Sequence, residues 1–145
     1  MRKYVSLALA TGLIALAPMS GADDTLYKSL GGKKAITAVV DDFVGRVAAD
    51  TRINSFFTAT AADPNRLAKF KKNLVDQLCE AAGGPCKYKG KDMKTAHAGM
   101  GITSPDFDAL VQDLVASLDK FMVKEADKQA LLGVLGPMKK DIVEK

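Results

Sequence analysis

His97 is the only histidine in 145 residues. It stands in the stretch GGPCKYKGKDMKTAHAGMGI, Gly83 to Ile102. A zinc site draws on three or four nitrogen, sulfur or carboxylate ligands, and one imidazole cannot build it. Nor does the sequence offer a catalytic triad for this histidine to serve. One histidine is enough for haem iron, because the porphyrin supplies four ligands and the protein a single axial bond. The plain alternative is a surface or satisfied core histidine, the commoner state of a lone His. Cys79 and Cys86 flank the Gly83-Gly84-Pro85 turn, a spacing that permits a disulfide without requiring one. No CxxCH occurs, so covalent attachment of a c-type haem is not indicated.

The chain that carries this histidine opens MRKYVSLALATGLIALAPMSGADD. Arg2 and Lys3 form a charged start, an apolar run follows from Tyr4 to about Pro18, and Ser20 and Ala22 fit a small-x-small cleavage signal. The apolar run is shorter than the ~20 residues that span a bilayer. Cleavage after Ala22 is therefore expected, with residues 1–22 a signal peptide and 23–145 one exported domain, periplasmic or secreted. Removing Arg2 and Lys3 takes the formal charge from +4 down by two. With charges so nearly balanced and no arginine-rich stripe, nucleic acid is not an expected partner.

The elements that must position His97 are helical. Asp24-Thr25 starts a short helix that Gly31-Gly32 stops. From Lys33 to Ala49, Ile36, Val39, Val40, Phe43, Val44 and Val47 recur at helical spacing. Thr51 to Phe57 reads as a turn ending in two aromatics. Asp63-Pro64 is a strong helix start, and the helix behind it runs to Gly83-Gly84. Asp92 begins a short helix with Met93 and His97 one turn apart on the same side. Ser104-Pro105 repeats the cap-and-proline start for a helix carrying Phe107 to Met122. A last helix, from about Glu125 to Val143, is expected to kink at Pro137. No stretch alternates with period two, so the fold class is all-α.

Several segments, in this order and spacing, carry a resemblance. They are LYKSLGG, VVDDF, SFF, AAGGP, DMKTAHAGMGIT and GPMKKDIV, which span nearly all of the expected mature chain. The chain resembles the group I truncated haemoglobins, short globins built as a two-over-two helical sandwich. The resemblance implies a non-covalent haem b whose iron is bound by His97. It implies that Phe57 packs on the haem, that Met93, Ile102 and Phe107 line its proximal face and edge, and that Phe43 joins the cofactor-binding set. For each of these apolar residues, plain core is the competing reading.

The sequence departs from the family on the distal side. Relatives often place a tyrosine directly after the phenylalanine of the second helix and a glutamine along the third long helix, both hydrogen-bonding iron-bound oxygen. Val44 and Leu74 stand at those positions here, with Phe70 one turn earlier. Asn73 and Gln77 are the nearest polar side chains. The expected function is reversible binding of oxygen, carbon monoxide or nitric oxide, including oxygen carriage, at an open iron with an apolar distal pocket. Bis-histidine ligation is excluded because there is no second histidine. The alternatives are a nitric oxide dioxygenase served by an unidentified reductase, and a haem-handling protein outside the cytoplasm.

Overall fold

In the computed structural model, residues 24–145 are described. The expected signal peptide, residues 1–22, lies outside them. All regular structure among the described residues is helical. Helix α1 is Thr25–Leu30 and α2 is Gly32–Ala49; a 3-10 turn, Asn54–Phe57, leads into α3, Thr58–Ala62. Helix α4 is Pro64–Ala81, α5 is Met93–His97 and α6 is Ser104–Lys120. Helix α7, Glu125–Leu135, passes through a 3-10 turn at Gly136–Met138 into α8, Lys139–Ile142, so the expected kink at Pro137 takes the form of a tightened turn.

The helix boundaries follow local chemistry. The Asp63 side chain accepts from the amides of Asn65 at 2.9 Å and Arg66 at 3.3 Å, and Pro64 takes the first helical position. These bonds satisfy donors that would otherwise be orphaned. Helix α6 is capped one residue earlier than the sequence suggests. Thr103 and Asp106 form a reciprocal capping box, with Thr103 N–H donating to Asp106 at 3.0 Å and Asp106 N–H to Thr103 at 3.2 Å. Gly31, at φ 101°, separates α1 from α2. Gly32 then opens α2 rather than closing α1, which corrects the reading of the diglycine as a shared stop.

Helix α2 is the centre of the packing and touches both α4 and α6. Its buried face, Ile36, Val39, Val40, Phe43 and Val47, is the stripe read from the spacing. Removing it from water supplies the main driving force for docking, at about 1.5–3 kcal/mol per large side chain. One polar knot fixes how α2 sits on α6. The buried Ser117 hydroxyl donates to Asp42 at 2.7 Å, and Arg46 and Lys120 reach the same carboxylate at 2.7 and 2.9 Å. These donors, Arg46 foremost, hold the Asp42 carboxyl well below the usual range. A second, smaller core of Ile102, Phe107 and Ile142 gathers where α5 and α6 meet α8.

The end of α6 departs from the sequence reading. Phe121 and Met122 do not continue its buried face; they are 41% and 87% exposed. The helix stops at Lys120, and Met122 turns into the left-handed region at φ 55°. Its amide reaches Asp119 O at 3.0 Å, while Val123 N–H closes on Leu118 O at 3.0 Å. This is a helix stop that usually employs glycine. Met122→Gly is expected to raise stability by about 0.5 kcal/mol, the left-handed penalty relieved less the added backbone entropy, measured by urea unfolding.

Asp50, Arg52 and Asp113 form a charged cluster beside α6. Arg52 bonds Asp50 at 2.8 Å and lies 3.9 Å from Asp113. Burial first, and then the facing Asp50, push the Asp113 carboxyl up to about 6, while one of its oxygens is buried without a partner. The folded chain therefore keeps a proton between pH ~4 and ~6 that the unfolded chain releases. Stability from this group falls as pH rises through that window, and the penalty persists above it. Asparagine keeps the donor and removes the charge. Asp113→Asn is expected to raise Tm by roughly 2–4 °C at pH 7.5 and to leave it unchanged near pH 4, read by thermal melts at both pH values.

Candidate functional site

His97 closes helix α5, a single short turn capped by Asp92, whose side chain accepts from Thr95 N–H at 3.2 Å. The imidazole is half-buried, and its Nδ1 lies 2.7 Å from the carbonyl oxygen of Met93. A carbonyl can only accept, so Nδ1 carries the proton and donates. That bond fixes both the tautomer and the ring plane. It leaves the Nε2 lone pair as the ring's electron donor, with no protein partner among the described residues. A metal-ligating histidine is commonly oriented in this way, through its second nitrogen.

The apolar side chains singled out from the sequence divide by burial. Phe43 is 6% exposed within the main core, and Ile102 and Phe107 are buried in the smaller core. Val44, Phe57, Phe70, Leu74 and Met93 are only half-buried. Phe57 and Phe70 meet at 5.6 Å between ring centroids with their planes tilted by 53°. Together with Val44, Val47 and Leu67 they line a small apolar cleft, open to solvent, between α2, α3 and α4. Val44, Phe57 and Leu74 pack against the main core and Met93 against the smaller one, and among the described residues Phe56 packs against both. The cleft is lined from α2, the turn before α3, α3 and α4, and His97, Leu74 and Met93 are not part of its lining.

Gln77 is the polar exception. It follows Phe70 and Leu74 on α4 at spacings of seven and three, so it shares their face. Its amide nitrogen donates to Met93 Sδ at 3.2 Å and lies 3.6 Å from Met138 Sδ. The side chain therefore spans from α4 to α5 and the C-terminal turn. Met138 was missed as part of this site because its helical spacing reads as ordinary core. The lysines near the cleft are engaged elsewhere, Lys71 with Asp41 at 3.3 Å and Lys72 with Asp76 at 2.8 Å. The cysteines left open by the sequence are joined: Cys79 of α4 is bonded to Cys86, with Cα atoms 5.6 Å apart.

An all-helical chain in which α2 packs on both α4 and α6, and which superposes on truncated hemoglobins, is a globin of the shortened, two-over-two class. The chain belongs to the bacterial-like globin family, whose profile matches residues 25–144. It is 36% identical over 121 residues to the group 1 truncated hemoglobin of Tetrahymena pyriformis, which covers 83% of this chain and 96% of that protein. It is 35% identical over 118 residues to a group 1 truncated hemoglobin of Mycolicibacterium paratuberculosis, 81% of this chain and 83% of that one. Among crystal structures, the ferric T. pyriformis protein superposes with a TM-score of 0.74 at 34% identity, covering 83% and 98% of the two chains. The 2/2 hemoglobin of Synechococcus, in a cyanomet state with covalently attached heme, gives 0.74 at 32% identity and the same coverage. The all-α expectation and the two-over-two architecture both hold. Among the described residues, no helix is long and apolar enough to cross a membrane.

Proposed function

We propose that this globin binds haem b non-covalently, with His97 Nε2 as the iron ligand, and reversibly takes up a small diatomic gas on an apolar distal face. The observation that carries the reading is the Nδ1–H bond to Met93 O at 2.7 Å. It commits the only histidine to the tautomer a ligand needs. Val44, Phe57, Phe70, Leu74 and Met93, all half-buried, suit a flat apolar group, since burying such a group uses side chains that water otherwise wets. Bound haem supplies the iron on which the gas sits. The chain orients the proximal ligand and excludes water, and it offers the gas little hydrogen bonding.

Val44 and Leu74 cannot donate, and the Gln77 amide is engaged by Met93 and Met138. Lys71 and Lys72, ion-paired away, would reach the iron only after rearrangement. With only Val44 and Leu74 facing it, a water beside the haem would lack the partners that hold one. The haem would be held by this chain after export, with residues 1–22 removed and an unidentified donor keeping the iron ferrous.

Haemin titration of residues 23–145 tests the reading. Saturation at one equivalent is expected, and failure to saturate would overturn it. On the same sample, catalytic nitrate production from nitric oxide with a reductant would select the dioxygenase alternative, which the missing distal donor disfavours. Rapid haem surrender to an acceptor by the oxidised protein would select the haem-handling one.

A further inference from the structure

We propose that the Cys79–Cys86 bond governs how tightly the cleft holds haem, because it fixes the segment that delivers His97. The inference rests on the haem reading above. Helix α5 has five residues, far fewer than a helix needs to persist alone. Its place is set by packing on α8 and by the irregular segment that leads into it from α4. That segment has few ties. Gly84 N–H donates to Cys79 O at 2.8 Å, Tyr88 N–H to the Glu80 carboxylate at 2.8 Å, and the Tyr88 hydroxyl to Lys91 O at 2.6 Å. Between Gly84 and Tyr88 the covalent tie is Cys86. It fastens the segment to α4 two residues beyond Gln77, adding a covalent link to the weaker Tyr88–Glu80 and Gln77–Met93 hydrogen bonds between the helix bearing Leu74 and the one bearing His97.

Opening the bond cannot leave the two sulfurs where they are. Two thiols repel at the separation a disulfide imposes, so one side must give way. Cys79 is fully buried and hemmed in by the turn above it. A Cβ built on Gly84 would stand 2.7 Å from its Sγ and 2.5 Å from the Tyr27 ring. Tyr27 is itself pinned, its amide donating to Ala82 O at 2.9 Å and its hydroxyl accepting from Lys33 N–H at 3.0 Å. The movement therefore falls on Cys86, which is half-buried, and on the segment toward α5.

Cys86, the less buried residue of the pair, is also where a reductant enters. A thiolate of an external dithiol attacks Cys86 Sγ, and Cys79 leaves as thiolate and takes up a proton. The second thiol of the reductant then displaces Cys86 from the mixed disulfide. Two electrons enter the protein, and the dithiol becomes a disulfide.

The test uses haem transfer. Apoprotein (residues 23–145) is prepared oxidised, or reduced with dithiothreitol and desalted without oxygen, then loaded with haemin and mixed with excess apomyoglobin. Transfer is expected to be about tenfold faster or more from the reduced form, the size of effect seen when a metal ligand loses its support. Reoxidation should restore the slow rate. Cys86→Ser should transfer at the reduced rate whether or not dithiothreitol is added. Circular dichroism should show both apoproteins equally helical at the assay temperature, which separates loss of positioning from unfolding. Oxidised and reduced rates agreeing within twofold, with both forms loading one haem, would overturn the inference alone. Failure of the oxidised protein to load haem would overturn the haem reading and this inference with it.

Discussion

His97→Gly is expected to lower haem affinity by at least about a hundredfold, more than the ten- to hundredfold that losing a ligand's supporting partner costs. The reason is the absence of any substitute. The chain has no second histidine, both cysteines are consumed in a disulfide, and Lys71 and Lys72 are ion-paired to Asp41 and Asp76. Removing the imidazole leaves Val44, Phe57 and Phe70 at the cleft untouched, so the protein should still fold and still take up some porphyrin. Added imidazole should occupy the space left by the side chain and restore the gas-binding spectrum. Rescue by imidazole, scored as return of the carbon monoxide band, is the informative readout, because a fold defect would not respond to it. A variant that binds haem as the native chain does would remove His97 from its assigned role.

The second large effect concerns the distal side. Iron-bound oxygen carries partial negative charge, and a hydrogen bond to a charged group contributes roughly 1.5–3 kcal/mol, about tenfold to over a hundredfold in affinity. Val44 and Leu74 forgo that term. On the proposed haem reading, Leu74→Gln or Val44→Tyr should slow oxygen dissociation by that factor and leave carbon monoxide dissociation nearly unchanged. Gln77→Leu provides the contrast. Its amide is held by Met93 and Met138, so oxygen release should change less than about twofold, within the scatter of a neutral substitution. Stopped-flow displacement of oxygen by carbon monoxide measures all three. A large acceleration in Gln77→Leu would make Gln77 the distal donor and the pocket polar.

How much of this was legible beforehand varies with the physics of each element. Helix α4 could be read closely because Asp63-Pro64 and the diglycine are local signals with fixed stereochemistry. The short α5 was legible from Asp92 and from the spacing of Met93 and His97. Helix α3, five residues of TATAA, has neither period nor cap and was invisible. The stop at Met122 was misread because a left-handed helix end without glycine leaves no compositional mark. The orientation of Gln77 was recoverable in principle, since it lies on the Phe70 and Leu74 face; what it touches depends on α5 and the C-terminal turn, which are remote in sequence. The disulfide was undecidable from a spacing that several geometries satisfy, and is settled by the approach of the two Cα atoms to 5.6 Å.

The most direct test of the account is the absorption spectrum of the haem-loaded chain, residues 23–145, recorded ferric, ferrous and ferrous with carbon monoxide. With His97 as the sole protein ligand and an apolar distal face, the ferrous protein should show a broad five-coordinate band that sharpens when carbon monoxide is added. A low-spin six-coordinate ferrous spectrum before any gas is present would mean that a side chain of this protein already occupies the distal position, contradicting the open site.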